Sequence, residues 1–414
     1  MMNRIVVAGG IAALALVASA EGVKGNKYQL RDKDEVKDTA VVAVEGEKEI
    51  APGKMLSADG KTVWWDAKTL VPMEGQAFKD VKRPYDRLPA AAQGRVTPGV
   101  YNQAYHTSGL CLRFTTTART FKLRWSLVSP GLALGHMPAS GVSGLDMYVY
   151  DKHKGRWIPR CIGIPSKQDG NVKEVFAYPG VPIMIYLPLY NGVKKLEVGL
   201  GPDDTIKPLP PRASGIDKPV VFYGTSITHG GVASRPGMSF PAIATRWLDV
   251  PLVNLGFSGN GKMEMEMCDY CARIDASCYV LDCIWNMTPD MIKERFEPFV
   301  RELRKRRPGV PIILAEDCQV HLAPGQEDSS KGKLVKEVYE KLKAEDAQLW
   351  KDLYLLRSAG QFAWDEEGTV DGAHPNDWGM MHMARAFTPV IAEALRLKWD
   401  GAPASWGPFD KPGK

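Results

Sequence analysis

The run Lys207-Pro208-Leu209-Pro210-Pro211-Arg212 divides this sequence into two textures. Proline has no N–H to give to a sheet ladder and clashes with the preceding turn of a helix, so three prolines in four positions end whatever element precedes them. We therefore expect a linker at 208–214, with a different class of structure on either side.

Upstream, from about Trp64 to Gly201, the texture is that of strands. Apolar and polar residues alternate along Thr120-Phe121-Lys122-Leu123-Arg124-Trp125-Ser126-Leu127, along Asp146-Met147-Tyr148-Val149-Tyr150 and along Lys195-Leu196-Glu197-Val198-Gly199-Leu200. Val181–Leu187 is apolar throughout, the mark of a strand buried on both faces. Short strands separated by turn residues, without a helical period, predict a β-sandwich of jelly-roll type over residues 21–207. Trp64, Trp65, Trp125 and Trp157 fall at strand spacing and read as core residues, with stacking on sugar rings as the rival reading.

Downstream, apolar runs at Val220–Tyr223, Leu252–Leu255, Cys278–Cys283, Ile312–Ala315 and Leu353–Leu356 alternate with helical segments near Phe240–Leu248, Pro289–Arg306, Lys331–Glu345 and Asp377–Leu397. That alternation predicts an α/β unit over residues 215–398, a parallel five-stranded sheet covered by helices on both faces. Residues 399–414 are left as a C-terminal tail. In such sheets ligands bind off the carboxyl ends of the strands.

The N-terminus has the order of an export signal: Arg4, an apolar run from Ile5 to Val17, then Ala18-Ser19-Ala20. We expect residues 1–20 to be removed, leaving a periplasmic or extracellular chain without a membrane anchor. The run is shorter than the roughly 20 residues a spanning helix needs. Export permits disulfides without requiring them, and the seven cysteines are an odd number. Cys268-Asp269-Tyr270-Cys271 has neither a second ligand pair nor a thioredoxin-like context and reads as structural. Cysteine pairing and oligomeric state stay open. The net charge of +5 is small for 414 residues and the basic residues are dispersed, which excludes a nucleic-acid footprint. The dense run Arg301–Arg307 closes a predicted helix, where the dipole favours cations on a solvated face.

Four polar turns stand at strand ends or helix starts of the α/β unit. Gly224-Thr225-Ser226-Ile227-Thr228-His229-Gly230-Gly231 follows the first strand, and Ser258-Gly259-Asn260-Gly261 follows the second. Asn286 follows the third, and Asp371-Gly372-Ala373-His374-Pro375 precedes the last helix. A nucleophilic serine needs a base, the base needs an orienting acid, and acyl transfer needs donors for the oxyanion. Taken singly, each turn is ordinary: D-x-x-H-P is a good helix entry, and a glycine-rich turn serves many folds.

In order and spacing, these blocks resemble those of the SGNH (GDSL-type) hydrolases. The resemblance implies a flavodoxin-like three-layer α/β/α domain, with Ser226 as nucleophile, His374 as base, Asp371 as its orienting acid, and Gly259 and Asn286 as oxyanion donors. The family's usual aspartate after the first glycine is Thr225 here, and its Gly-x-Asn-Asp has become Ile284-Trp285-Asn286-Met287. Gly224–Gly231 together with Ala233–Gly237 is similar to a branch with an N-terminal β-domain, like secreted bacterial carbohydrate acetylesterases. That likeness implies short-chain, acetyl esters on an oligo- or polysaccharide as substrate, and no cofactor is expected; no metal is expected either, from the spacing of the histidines. His229, Arg235 and Trp378 are candidates for substrate contact, with packing at a helix start as the rival reading for His229. His106, His136, His153, His321 and His382 show no ligand spacing. The rival functions are a non-catalytic glycan-binding protein and an esterase for lysophospholipid, aryl ester or thioester.

Overall fold

The computed structural model describes residues 44–318, 329–362 and 367–401. The expected export signal, His321 and most of the C-terminal tail lie outside the described residues. Among the described residues, no helix is long and apolar enough to cross a membrane.

Eleven strands build the N-terminal half: Lys48–Ala51 (β1), Lys54–Leu56 (β2), Val63–Asp66 (β3), Cys111–Thr116 (β4), Thr120–Leu127 (β5), Leu145–Asp151 (β6), Arg156–Gly163 (β7), Asn171–Phe176 (β8), Ile183–Tyr186 (β9), Val193–Leu200 (β10) and Ile206–Pro208 (β11). Short helices at Ala67–Leu70 (α1), Pro98–Tyr101 (α2) and Ala139–Val142 (α3) interrupt them. The strands form two sheets, of order β1-β2-β3-β10-β5-β8 and β11-β4-β9-β6-β7. Leu123 and Trp125 of β5, Val198 of β10, Met147 of β6 and Ile185 of β9 fill the space between them, so the sandwich has its own apolar core. Trp125 is buried there and Trp64 is buried beside it, as their spacing predicts, whereas Trp65 and Trp157 are only half-buried. Pro208 belongs to the sandwich rather than to the linker: it ends the edge strand β11 opposite Phe114, where a missing N–H costs no ladder bond.

The C-terminal half is a parallel sheet of Val220–Gly224 (β12), Leu252–Gly256 (β13), Cys278–Asp282 (β14), Ile312–Ala315 (β15) and Leu353–Leu356 (β16), in the order β13-β12-β14-β15-β16. That is the flavodoxin-like order, whose strand succession reverses beside β12. Its helices are Ser226–His229 (α4), Phe240–Leu248 (α5), Met265–Arg273 (α6), Pro289–Arg306 (α7), Ser330–Glu345 (α8) and Asp377–Ala394 (α9). Side chains of a strand point alternately to its two faces. Val220 and Phe222 pack with α5 and α9, while Val221 and Tyr223 pack with α6 and α7. The sequence reading passed over α6, whose buried side is Met267, Cys268, Tyr270 and Cys271. The C-x-x-C is thus one face of a core helix, and all seven cysteines are free. The basic run ends α7, but Arg304 turns inward and donates to the carbonyls of Val310 and Asp352.

The two halves share both cores of the α/β layers. Phe78, Leu88, Val96 and Val100 from the stretch before β4 join the α6–α7 side, and Tyr148, Met184 and Tyr186 from the sandwich join the α5–α9 side.

Candidate active site

β12 runs out at Gly224, and Thr225 caps the next turn by accepting a hydrogen bond from Ile227 N. Ser226 is therefore the first residue of α4, at the carboxyl edge of the sheet beside the reversal in strand order, and is almost fully buried. Gly230, at φ 101°, ends the helix after one turn, and its neighbour Gly231 returns its N–H to Ser226 O at 2.7 Å. A Cβ at Gly231 would lie 2.9 Å from Ser226 O and 3.3 Å from His374 Cδ2. It would lie closer still, 2.8 Å, to Tyr190 OH, so the glycine keeps this turn closed on the Ser226 main chain.

His374 arrives from the other end of the sheet, on the turn before α9. Asn376 caps that helix through Trp378 N and Gly379 N, which fixes the turn on a rigid support. Asp371 folds back across Gly372, which sits at φ 81°. Its Oδ1 accepts from Ala373 N and His374 N at 3.1 and 2.8 Å, and its Oδ2 lies 2.7 Å from His374 Nδ1. On the far side of the ring, His374 Nε2 lies 2.9 Å from Ser226 Oγ. Burial raises the affinity of Asp371 for a proton, but the backbone and side chain of His374 outweigh it and hold the carboxyl below its usual range. The aspartate is ionised at neutral pH and suited to hold an Nδ1–H. Ser226, distant in sequence from the His374–Asp371 turn, joins it in one continuous chain of hydrogen bonds.

The glycine-rich turn after β13 lies alongside. Gly259 adopts φ 68°, the left-handed region that glycine tolerates. Asn286, in the short 3-10 turn Ile284–Asn286 after β14, donates Nδ2–H to Asn260 O at 2.7 Å and so ties the two turns together. The amide retains a second N–H. Ile284 and Met287, which flank the amide where the family pattern differs, are buried and anchor the turn in the core.

The residues that steady this turn come from the N-terminal half, and no local signal in the sequence marked them. Gln103 bonds both the N–H and the carbonyl of Ser258, at 2.6 and 2.8 Å. Arg87, fully buried, donates to the carbonyls of Asn254, Gly256 and Gln103 at 3.0, 2.9 and 3.0 Å. Burial brings its guanidinium down to about 9, still charged at neutral pH. Ser108 Oγ donates to His229 O at 2.7 Å, and Tyr190 OH donates to Ser226 O at 3.2 Å.

The three expected substrate-contact residues separate. His229 is fully buried at this junction, stacked on Tyr190 with ring centroids 4.2 Å apart and bonded to Leu189 O at 2.7 Å. The expected substrate contact is corrected to the packing role: the imidazole faces the N-terminal half and not the solvent. Arg235 pairs with Asp146 at 2.8 Å and also bonds Tyr148 OH. It lines a cleft of about 520 Å³ between β6–β7 and α5, with Trp157 and Trp247, whose walls include neither Ser226 nor His374. Trp378 is 41% exposed at the start of α9, with its indole edge-on to His382.

His136, read from sequence as an isolated histidine, lies on the loop between β5 and α3 and presents its ring to His374 at 5.8 Å, with 72° between the planes. One ligand atom each from His136, Asp371 and His374 lies within 4.8 Å of the other two.

Comparison with known proteins agrees with this architecture. Residues 217–392 match the GDSL-like Lipase/Acylhydrolase family, and residues 62–206 match the N-terminus of SGNH-hydro-type esterases, a family named GxDLY. Residues 144–148 read Gly-Leu-Asp-Met-Tyr, and they carry the Asp146 and Tyr148 that hold Arg235. A GDSL-like protein from Bacteroides ovatus is 31% identical, with a TM-score of 0.70 over 82% of this chain and 99% of that one. The salicylyl-acyltransferase SsfX3 from a tetracycline biosynthetic pathway is 17% identical, with a TM-score of 0.63 over 85% and 98%, a likeness of fold. A family two carbohydrate esterase from Cellvibrio japonicus is 14% identical, with a TM-score of 0.49 over 70% and 90%. Among curated proteins there is no match.

Proposed function

We infer the activity from one premise: the chain belongs to the GDSL-like lipase/acylhydrolase family, with the N-terminal region of SGNH-type esterases. It is an ester hydrolase of that family. We propose that it works as a serine esterase through Ser226, His374 and Asp371. The observation that carries this reading is the unbroken relay Ser226 Oγ–His374 Nε2 at 2.9 Å and His374 Nδ1–Asp371 Oδ2 at 2.7 Å.

In this mechanism, Ser226 Oγ attacks the ester carbonyl while His374 Nε2 takes its proton. The tetrahedral oxyanion is held by the N–H groups of Gly259 and Ser226 and by the second amide N–H of Asn286. Collapse expels the alcohol, which receives the proton from His374 and leaves an acyl-Ser226. Water, deprotonated by the same imidazole, then attacks the acyl carbonyl and restores Ser226. Asp371 stays ionised throughout and stabilises the imidazolium.

For the substrate, we propose short acyl esters, acetyl above all, on an oligo- or polysaccharide. The exposed indole of Trp378, four residues after His374, supports this as a platform for the face of a sugar ring. The sequence pattern of residues 1–20 supports export, which would bring the enzyme to such polymers. Release of acetate from acetylated polysaccharides, and of nitrophenol from nitrophenyl acetate, tests both steps against Ser226→Ala. Acetate from the wild type and none from the variant supports the esterase and its nucleophile. Equal silence of both folded proteins on every ester overturns it and favours a glycan-binding role.

A further inference from the structure

We propose that a divalent transition-metal ion binds between His136, Asp371 and His374 and switches the enzyme off. Occupancy of this site is independent of the esterase reading; the switching rests on it.

The donor set is two imidazoles and one carboxylate, with a ligand atom from each within 4.8 Å of the others. The carboxylate–imidazole edge of that triangle is 2.7 Å. Donors around a tetrahedral zinc at bond lengths of about 2.0–2.2 Å stand roughly 3.3 Å apart, so the site forms by opening one edge and drawing His136 inward. His136 is placed to make that movement. It sits half-buried between the bridged residues Leu134 and Met137, in a loop that Asn191 holds at Ser129 and Gly131, while Asp371 and His374 stand on the turn that the α9 cap fixes. Imidazole with carboxylate suits Zn²⁺, Cu²⁺ or Ni²⁺, whereas Mg²⁺ and Ca²⁺ want oxygen donors alone.

The consequence follows from which atom is taken. In the relay, His374 Nδ1 carries the proton that Asp371 accepts. A metal at Nδ1 takes the place of that proton, which passes through solvent to Nε2 and keeps the imidazole neutral, and the Asp371 carboxylate turns to the ion. Nε2 is then an N–H donor with no lone pair for the Ser226 proton, so general-base action stops. Water completes the coordination of the ion. The site joins the two halves of the chain, because His136 comes from the sandwich and the other ligands from the α/β half.

The test uses the full chain at pH 7.5, with Co²⁺ as a spectroscopic probe and Zn²⁺ for titration calorimetry. The wild type should bind one Co²⁺ with visible ligand-field bands, and His136→Ala should weaken binding at least about tenfold, since even outer-shell losses at metal sites cost 10–100-fold. Zn²⁺ should inhibit nitrophenyl acetate hydrolysis, chelator should restore it, and His136→Ala should retain metal-free turnover while needing at least about tenfold more Zn²⁺ for inhibition. Absence of Co²⁺ bands and binding heat at millimolar metal overturns the proposal, as does equal binding by wild type and His136→Ala. Metal binding that depends on His136, in a protein that cleaves no ester, upholds the site and overturns the esterase reading instead.

Discussion

Gln103 grips Ser258 by both polar groups of its main chain, accepting from the N–H at 2.6 Å and donating to the carbonyl at 2.8 Å. The residue it holds immediately precedes Gly259, the proposed oxyanion donor. A side chain from one half of the chain thus sets the aim of an N–H in the other.

Gln103→Ala should therefore lower kcat by about 10–10²-fold and leave KM within about twofold. Removing an oxyanion donor outright costs about 10²–10³, and misaiming one costs less. Gln103→Glu accepts from Ser258 N but cannot donate to Ser258 O, so its kcat should fall between the two. Steady-state kinetics on nitrophenyl acetate checks this. A fall in stability with unchanged kcat would show Gln103 to be a packing residue alone.

Asp371→Asn should reduce kcat by roughly 10³–10⁴ while KM barely moves. The carboxylate accepts from His374 Nδ1 and from the His374 main chain at once. An amide there favours the wrong tautomer of the imidazole. Burst labelling of Ser226 by an activated ester should slow in the same proportion, because acylation is the step affected.

Asp146→Ala should destabilise the protein by about 3 kcal/mol, within the range for removing one partner of a buried pair. Asp146 is 1% exposed, pairs with Arg235 and accepts from Gly237 N at 2.8 Å. The loss leaves a guanidinium and a main-chain N–H without their acceptor. Denaturant unfolding measures the change, and Arg235→Met on top of Asp146→Ala should recover part of it.

Stability should fall on acidification below about pH 6.5. His106 and His229 are buried, and burial holds both imidazoles far below their ordinary value of 6.5. The unfolded chain then binds more protons than the native one, so native stability is present above pH 6.5 and lost as pH falls, by at most about 1.4 kcal/mol per unit for each histidine. Asp282 acts with the opposite sign. Burial raises it to about 7, so its contribution is present below the unfolded value of 3.8 and lost as pH rises through about 7. Asp146, also raised by burial, acts with Asp282, and Asp371, held low by His374, acts with the two histidines, which leaves a net loss on the acid side. Unfolding midpoints at pH 5.0 and 7.5 should differ less in His106→Leu than in the wild type. An equal difference would mean that His106 does not titrate on unfolding.

Local chemistry carried much of this molecule into its sequence. Phe240–Leu248, Pro289–Arg306, Ile312–Ala315 and Leu353–Leu356 are readable to the residue, because apolar runs and helical periods are set by the face each element buries. The relay was legible too, since Ser226 and His374 lie in turns whose residue types have few other uses together. The helix Met265–Arg273 is not legible because Glu264, at its start, offers no side-chain cap, and without such a start signal its nine residues are too few to establish a helical period. His136, Gln103 and Arg87 escaped for a different reason. Their partners lie in the other half, and neither period nor turn chemistry encodes how one half docks on another. His229 was misjudged for the same cause: nearness to Ser226 in sequence suggested the cleft, and docking turned it inward.

Arg87 carries a consequence for how the chain is made. Its Nη1 is satisfied by the carbonyls of residues 254 and 256, 167 and 169 positions later. When the sandwich leaves the ribosome, those acceptors do not yet exist, and a buried cation without them is costly. The stretch around Arg87, which packs on the α/β half and not in the sandwich core, must therefore keep that arginine in water until β13 is in place. The docking of that stretch is a late step, whatever the sandwich has already folded on its own core.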